Sequence, residues 1–128
     1  MGVTTTTIAD PLGTVLVIDS ASNATSEDNT TGNAASTVYA CEIDNSQNVA
    51  ASYVKIADVA SLVPGTDAAE FQLHVPGGAK MTYMIAEGVA FTAGLSFFTV
   101  ISPHTATAQD ANAAQGPGSA VSVKILCT

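Results

Sequence analysis

From Thr37 onward apolar and polar residues exchange places at nearly every step. In TVYACEI, Tyr39, Cys41 and Ile43 share one side, with Val38, Ala40 and Glu42 opposite. SYVKIAD at 52–58 sets Val54 and Ile56 against Tyr53 and Lys55. In FQLHV, Phe71, Leu73 and Val75 point one way, and Met81, Tyr83 and Ile85 are expected to answer them across a Pro76-Gly77-Gly78 hairpin turn. Leu95, Phe97, Thr99 and Ile101 alternate with Ser96, Phe98 and Val100, a run apolar on both faces. Such a strand is expected to be central, or covered on its second side. TVLVID at 14–19 supplies a first strand, and Val121, Val123, Ile125 and Cys127 a last one with Ser122 and Lys124 outward. A period of two is that of the β-strand, and no window repeats at helical spacing. The pattern predicts an all-β protein of seven to eight strands, an antiparallel β-sandwich or jelly-roll-like fold.

Between these runs lie the turn formers. Residues 1–12, MGVTTTTIADPL, read as an extended N-terminal arm, because β-branched Thr favours extended backbone. The sandwich domain then occupies 13–128. Residues 20–36 and 103–119 are long loops rich in Ser, Thr, Asn, Ala and Gly, of a length that is uncommon unless functional or disordered. Asp44-Asn45-Ser46-Gln47-Asn48 has the chemistry of a turn, since Asx side chains satisfy nearby backbone groups. VASLVPGT at 59–66 is an apolar connection.

Composition narrows the function classes. A chain of 128 residues predicts one domain with a single sizeable core. Eleven acids stand against three bases, Lys55, Lys80 and Lys124, for a net charge of −8. Nucleic-acid binding draws its affinity from cationic side chains on phosphates, so this class is excluded. No apolar run is long enough for a membrane helix, and no basic stretch precedes one, so neither a membrane partner nor a secretion signal is expected. Met1-Gly2-Val3-Thr4-Thr5-Thr6 fits a loose myristoylation pattern without the polybasic patch that would support an acyl anchor. Charged residues make up 11% of the chain, against roughly 25% in ordinary domains. A surface so poor in full charge costs little to dehydrate, which suits a protein covered by others.

Reactive side chains are scarce. His74 and His104 have no second His or Cys at ligand spacing, no GxSxG surrounds a serine, and no catalytic or cofactor-binding residue is expected. Asp44, Asn45, Asn48 and Asp58 at one junction, and Asp19, Glu27 and Asp28 around the first loop, are candidate oxygen ligands for calcium. Their spacing matches no ordered calcium loop, and turn chemistry is the competing reading. Cys41 and Cys127 fall on apolar strand faces, as core thiols or as a single bridge. Asn23 and Asn29 begin formal glycosylation sequons. Tyr53 is the one candidate aromatic platform for a glycan.

STVYACEIDNSQNVAASYVKIADVAS, FQLHVPGGAKMTYMIAEGVAFTAGLSFFTVIS and the terminal VSVKILCT together resemble small virion proteins of tailed bacteriophages. The likeness spans about residues 36–128. It lies in the VY-x-x-EIDN strand and turn, the YVKI strand, the VPGG turn and the EG-x-AF-x-x-GLSF segment. It implies a non-enzymatic β-sandwich that binds other virion subunits, foremost a capsid cement (decoration) protein clamping neighbouring major capsid subunits. Its place would be the phage capsid surface after synthesis in the host cytoplasm. A tail-fibre or carbohydrate-binding module is the alternative. On this view Thr4, Thr5, Thr6, Thr7 and Ile8 of the arm add a strand to a neighbour's sheet edge. A homo-oligomer, a trimer, is expected because small clamps gain from several weak contacts at once.

Overall fold

The computed structural model describes residues 3, 13–64, 66–67, 69–103 and 115–128. Seven strands form in order: β1 (Val15–Ser22), β2 (Ser36–Asp44), β3 (Ser52–Asp58), β4 (Phe71–Val75), β5 (Lys80–Phe91), β6 (Leu95–Val100) and β7 (Val121–Cys127). They make an antiparallel β-sandwich. One sheet runs β1-β7-β2-β5 and the other β4-β3-β6. The proposed arm residues Thr4, Thr5, Thr6, Thr7 and Ile8, and His104, lie outside the described residues.

The core sits between the two sheets. Val38, Cys41 and Ile43 of β2 and Val121, Val123, Ile125 and Cys127 of β7 face Val54, Ile56, Leu95 and Phe97 of the smaller sheet. Alternation delivers most of this, with one exception at a bulge. Val38 pairs with Cys127 and Ala40 with Leu126, so β2 holds one extra residue at Tyr39. That extra residue puts Val38 into the core together with Cys41, and leaves Tyr39 half-buried. The expected face of Val38 and Tyr39 is thereby reversed.

The hairpin expected across Pro76-Gly77-Gly78 does not form. β4 pairs with β3, whereas β5 pairs with β2 in the opposite sheet. The turn is a corner that carries the chain from one sheet to the other. Period-two alternation says which face of a strand is buried and nothing about which strand lies beside it. β2 to β3 makes a second corner at the same end of the sandwich, and the two are locked together by Asn45, which has no solvent exposure. Its Nδ2 donates to the carbonyls of Ala50 (3.0 Å), Pro76 (3.1 Å) and Val75 (3.3 Å). Its Oδ1 accepts from Asn48 Nδ2 at 2.9 Å and Ser52 Oγ at 3.0 Å. Asn48 extends the lock to the start of β7, donating to the Ser119 carbonyl and accepting from the Ser119 N–H. Tyr83 adds a further tie, its hydroxyl donating to the His74 carbonyl across the sheets.

β6 is apolar on both faces, yet it is an edge strand. Its free side is closed by residues 23–30 of the first long loop. Glu27 and Phe97 exchange both backbone hydrogen bonds, Thr30 N–H donates to the Leu95 carbonyl, and Thr99 N–H to the Asn23 carbonyl. The second face of the smaller sheet is covered too. Phe98, Val100 and Ala57 pack there with Leu62, Val59, Tyr53 and Ala24. Lys55 is buried on that same face, 0% exposed, with Nζ 5.9 Å from the Phe98 ring centroid.

Two substitutions test this account. Asn45→Ala removes five side-chain hydrogen bonds around buried partners. It should cost about 3–5 kcal/mol in urea unfolding; a loss under about 1 kcal/mol would show that Asn45 is not the lock. At Gly77 an added Cβ would lie 1.8 Å from the Val49 carbonyl oxygen, whereas Gly78 has open space and a φ of 73°. Gly77→Ala should therefore lower the melting temperature more than Gly78→Ala, whose backbone strain costs about 1 kcal/mol.

Candidate functional site

Most of the side chains that could bind a metal are engaged in hydrogen bonds within the protein, whereas Asp19 Oδ2 and Asn29 Oδ1 are buried without one among the described residues. Asn45 and Asn48 spend their carbonyl oxygens on the corner lock. Asp44 accepts from the Ser46 N–H, and hydrogen bonds from Ser46 hold its carboxyl below the usual range. Asp58 closes the β5–β6 corner at the opposite end of the sandwich. Its carboxylate accepts from the N–H groups of Thr92 (2.9 and 3.0 Å), Ala93 (2.7 Å) and Gly94 (3.2 Å), and from Thr92 Oγ1. These donors, Thr92 foremost, hold the Asp58 carboxyl below its ordinary value. The four residues expected to share one junction are thus split between the two ends of the molecule.

Asp19, Glu27 and Asp28 line an opening of about 380 Å³ between β1 and the 27–30 segment, together with Asn29, Thr30 and Phe97. Asp28 uses its carboxylate on the Leu62 N–H and Ser61 Oγ, and Asp19 Oδ1 accepts from the Ala21 N–H. No group of three metal-ligating side chains converges among the described residues.

Cys41 and Cys127 are buried free thiols, which decides between the two readings of these residues. Burial first, and then the nearby Cys127, push the Cys41 thiol up to about 12. Burial also raises Cys127. Tyr53 lies half-buried against the second cluster, its ring 5.2 Å from that of His74 and tilted by 42°.

The surface that stands out is the outer face of the four-stranded sheet. Leu16 lies opposite Leu126, Leu126 opposite Ala40, and Ala40 opposite Met84, a continuous apolar row across all four strands. The next row runs Ile18, Lys124, Glu42 and Thr82. Leu16, Ile18 and Met84 are 55%, 59% and 66% exposed. Glu42 receives both lysines of this face, Lys80 at 3.3 Å and Lys124 at 3.7 Å. Nothing in the sequence reading singled out these positions. The signal was present in TVLVID, where Val15 and Val17 alternate with Leu16 and Ile18, so that both faces are apolar, as in β6.

Comparison with protein-family models, curated proteins and solved structures finds no match to this chain. The likeness to phage virion proteins rests on the quoted segments alone.

The Asp58 carboxylate gives a pH test with a definite sign. Its folded value lies below the unfolded one of about 3.9, so it stabilises the fold above that pH. The contribution is lost as pH falls through the folded value. Asp58→Asn should lower the urea midpoint at pH 7 and flatten its decline as pH falls below about 4. An unchanged acid limb would assign the decline to other carboxylates.

Proposed function

We propose that this protein is a non-enzymatic assembly subunit, specifically a bacteriophage cement protein that clamps neighbouring major capsid subunits. The observation that carries the reading is the apolar row Leu16–Leu126–Ala40–Met84, left uncovered by the described residues on a chain with few charges. Contiguous apolar surface of this kind marks interaction sites, and here little charge must be dehydrated to cover it. Two further features support it. The candidate acids and amides mainly serve hydrogen bonds within the protein, and the thiols are buried as neutral groups. A doubly locked corner at one end and the Asp58 cap at the other make a stiff body, which suits a clamp. The Thr4–Ile8 segment would contribute by adding a strand to a neighbouring subunit's sheet edge, where main-chain hydrogen bonds supply affinity.

Mass spectrometry of purified virions tests the assignment: the protein should be present in stoichiometric amounts on the head. Deleting residues 1–12 should reduce capsid occupancy severalfold at equal protein concentration while the β-sheet circular dichroism stays unchanged. Undiminished occupancy would remove the arm from the mechanism, and absence from the particle would remove the assignment.

A further inference from the structure

The two sheets are finished differently. The smaller one is covered on both sides, by the core and by the Phe98 cluster. Among the described residues the larger one is packed on one side only, its outer face keeping Leu16, Ile18 and Met84 exposed. Charge says what can cover the other. The chain has three cationic side chains, and Lys55 is buried. The two that reach solvent, Lys80 and Lys124, both stand on the outer face of the larger sheet, in the rows that also hold Glu42 and Asp44. That face is therefore electrically balanced. The chain has no other exposed lysine and no arginine to balance its remaining acids.

From this asymmetry we infer that the outer face of the β1-β7-β2-β5 sheet is a self-association surface, and that its occupant is the same face of a second copy. Two copies with a net charge of −8 repel each other in most orientations. Face to face across this sheet, each brings two lysines and two carboxylates, so the contact carries no net repulsion and can pair opposite charges across the rim of the apolar row. Packing one patch on itself gives a two-fold pair, a closed dimer in place of the expected trimer. Four strands at a spacing of about 4.8 Å, about eight residues long, present a flat footprint of roughly 500 Å². Stable complexes bury about 800 Å² on each partner, so the pair is weak alone and is strengthened when both copies are held on one particle. The inference rests on the assembly reading and deepens it: the apolar row joins two copies of the subunit, and the capsid contacts fall to other parts of the chain, the Thr4–Ile8 segment among them.

Sedimentation velocity on the purified full chain, from about 5 to 500 μM, measures it directly. A monomer–dimer equilibrium is expected within that range, tightening as salt screens the net charge. Leu16→Glu, at one end of the row, and Met84→Glu, at the other, should each weaken dimerisation at least tenfold. Val49→Glu, at a fully exposed valine off this face, should leave it unchanged. Circular dichroism confirms the fold of each variant, and two sites at opposite edges keep the test informative should one variant not fold. A parent chain monomeric at 500 μM overturns the inference, as does equal dimerisation of parent and both face variants, or equal weakening by Val49→Glu. A monomer found in virions would leave the assembly reading standing. A face-dependent dimer absent from virions would do the reverse.

Discussion

A buried carboxamide has four hydrogen-bonding sites to satisfy, and Asn45 satisfies them on parts of the chain that otherwise have no reason to meet. Its amide spans the end of β4 and the corner before β3, while its carbonyl takes the Ser52 hydroxyl and the Asn48 amide. Two sheets held only by apolar side chains could slide past each other at modest cost, because the hydrophobic effect has no direction. Hydrogen bonds at a water-free corner do have direction, and a displaced sheet would strand several polar groups in the interior. The register between the layers follows from this one residue and its neighbours Asn48, Ser52 and Gly77.

The division of labour between the sheets follows in turn. Because both corners at this end are fixed, β3 and β4 are held against the core, and the 59–63 and 23–30 segments can lie over the far side of β3 and β6. That second layer converts an exposed Phe98 and Val100 into a small core of their own and gives Lys55 an aromatic surface to lie on. Sealing the β6 edge with Glu27, Thr30 and Asn23 also removes a row of unpaired backbone groups that would invite other strands. Among the described residues the larger sheet receives no such layer. Its outer face keeps the apolar row of Leu16, Leu126, Ala40 and Met84 beside a row that carries Lys124 and Glu42.

The strands were legible because alternation is a direct record of one-sided burial. β3, β4 and β7 coincide with their sequence-predicted runs to the residue. The two-sided apolar character of β6 correctly announced a second cover. What alternation lacks is information on neighbours: Phe71, Leu73 and Val75 look like the partners of Met81, Tyr83 and Ile85, yet they face them from another sheet. The bulge at Tyr39 was hidden because one extra residue leaves no mark in composition. The choice between turn chemistry and a cation at the candidate oxygen ligands stayed open for a related reason. An Asx residue that caps a backbone turn and one that binds a cation look alike in sequence, and only the N–H groups converging on Asp58, or the carbonyls on Asn45, separate them. In the candidate face, Leu16, Ile18, Leu126, Ala40 and Met84 come from four strands far apart in the chain, so no local window contains the row.

The two thiols carry a consequence for how the sandwich is held together. Disulfide exchange proceeds through the thiolate, and burial holds both thiols in the neutral form, Cys41 pushed up to about 12 and Cys127 raised as well. Closed off from solvent as well, the sulfurs serve as packing atoms between the sheets. The sandwich is therefore held without a covalent staple, by its core and its corner hydrogen bonds alone.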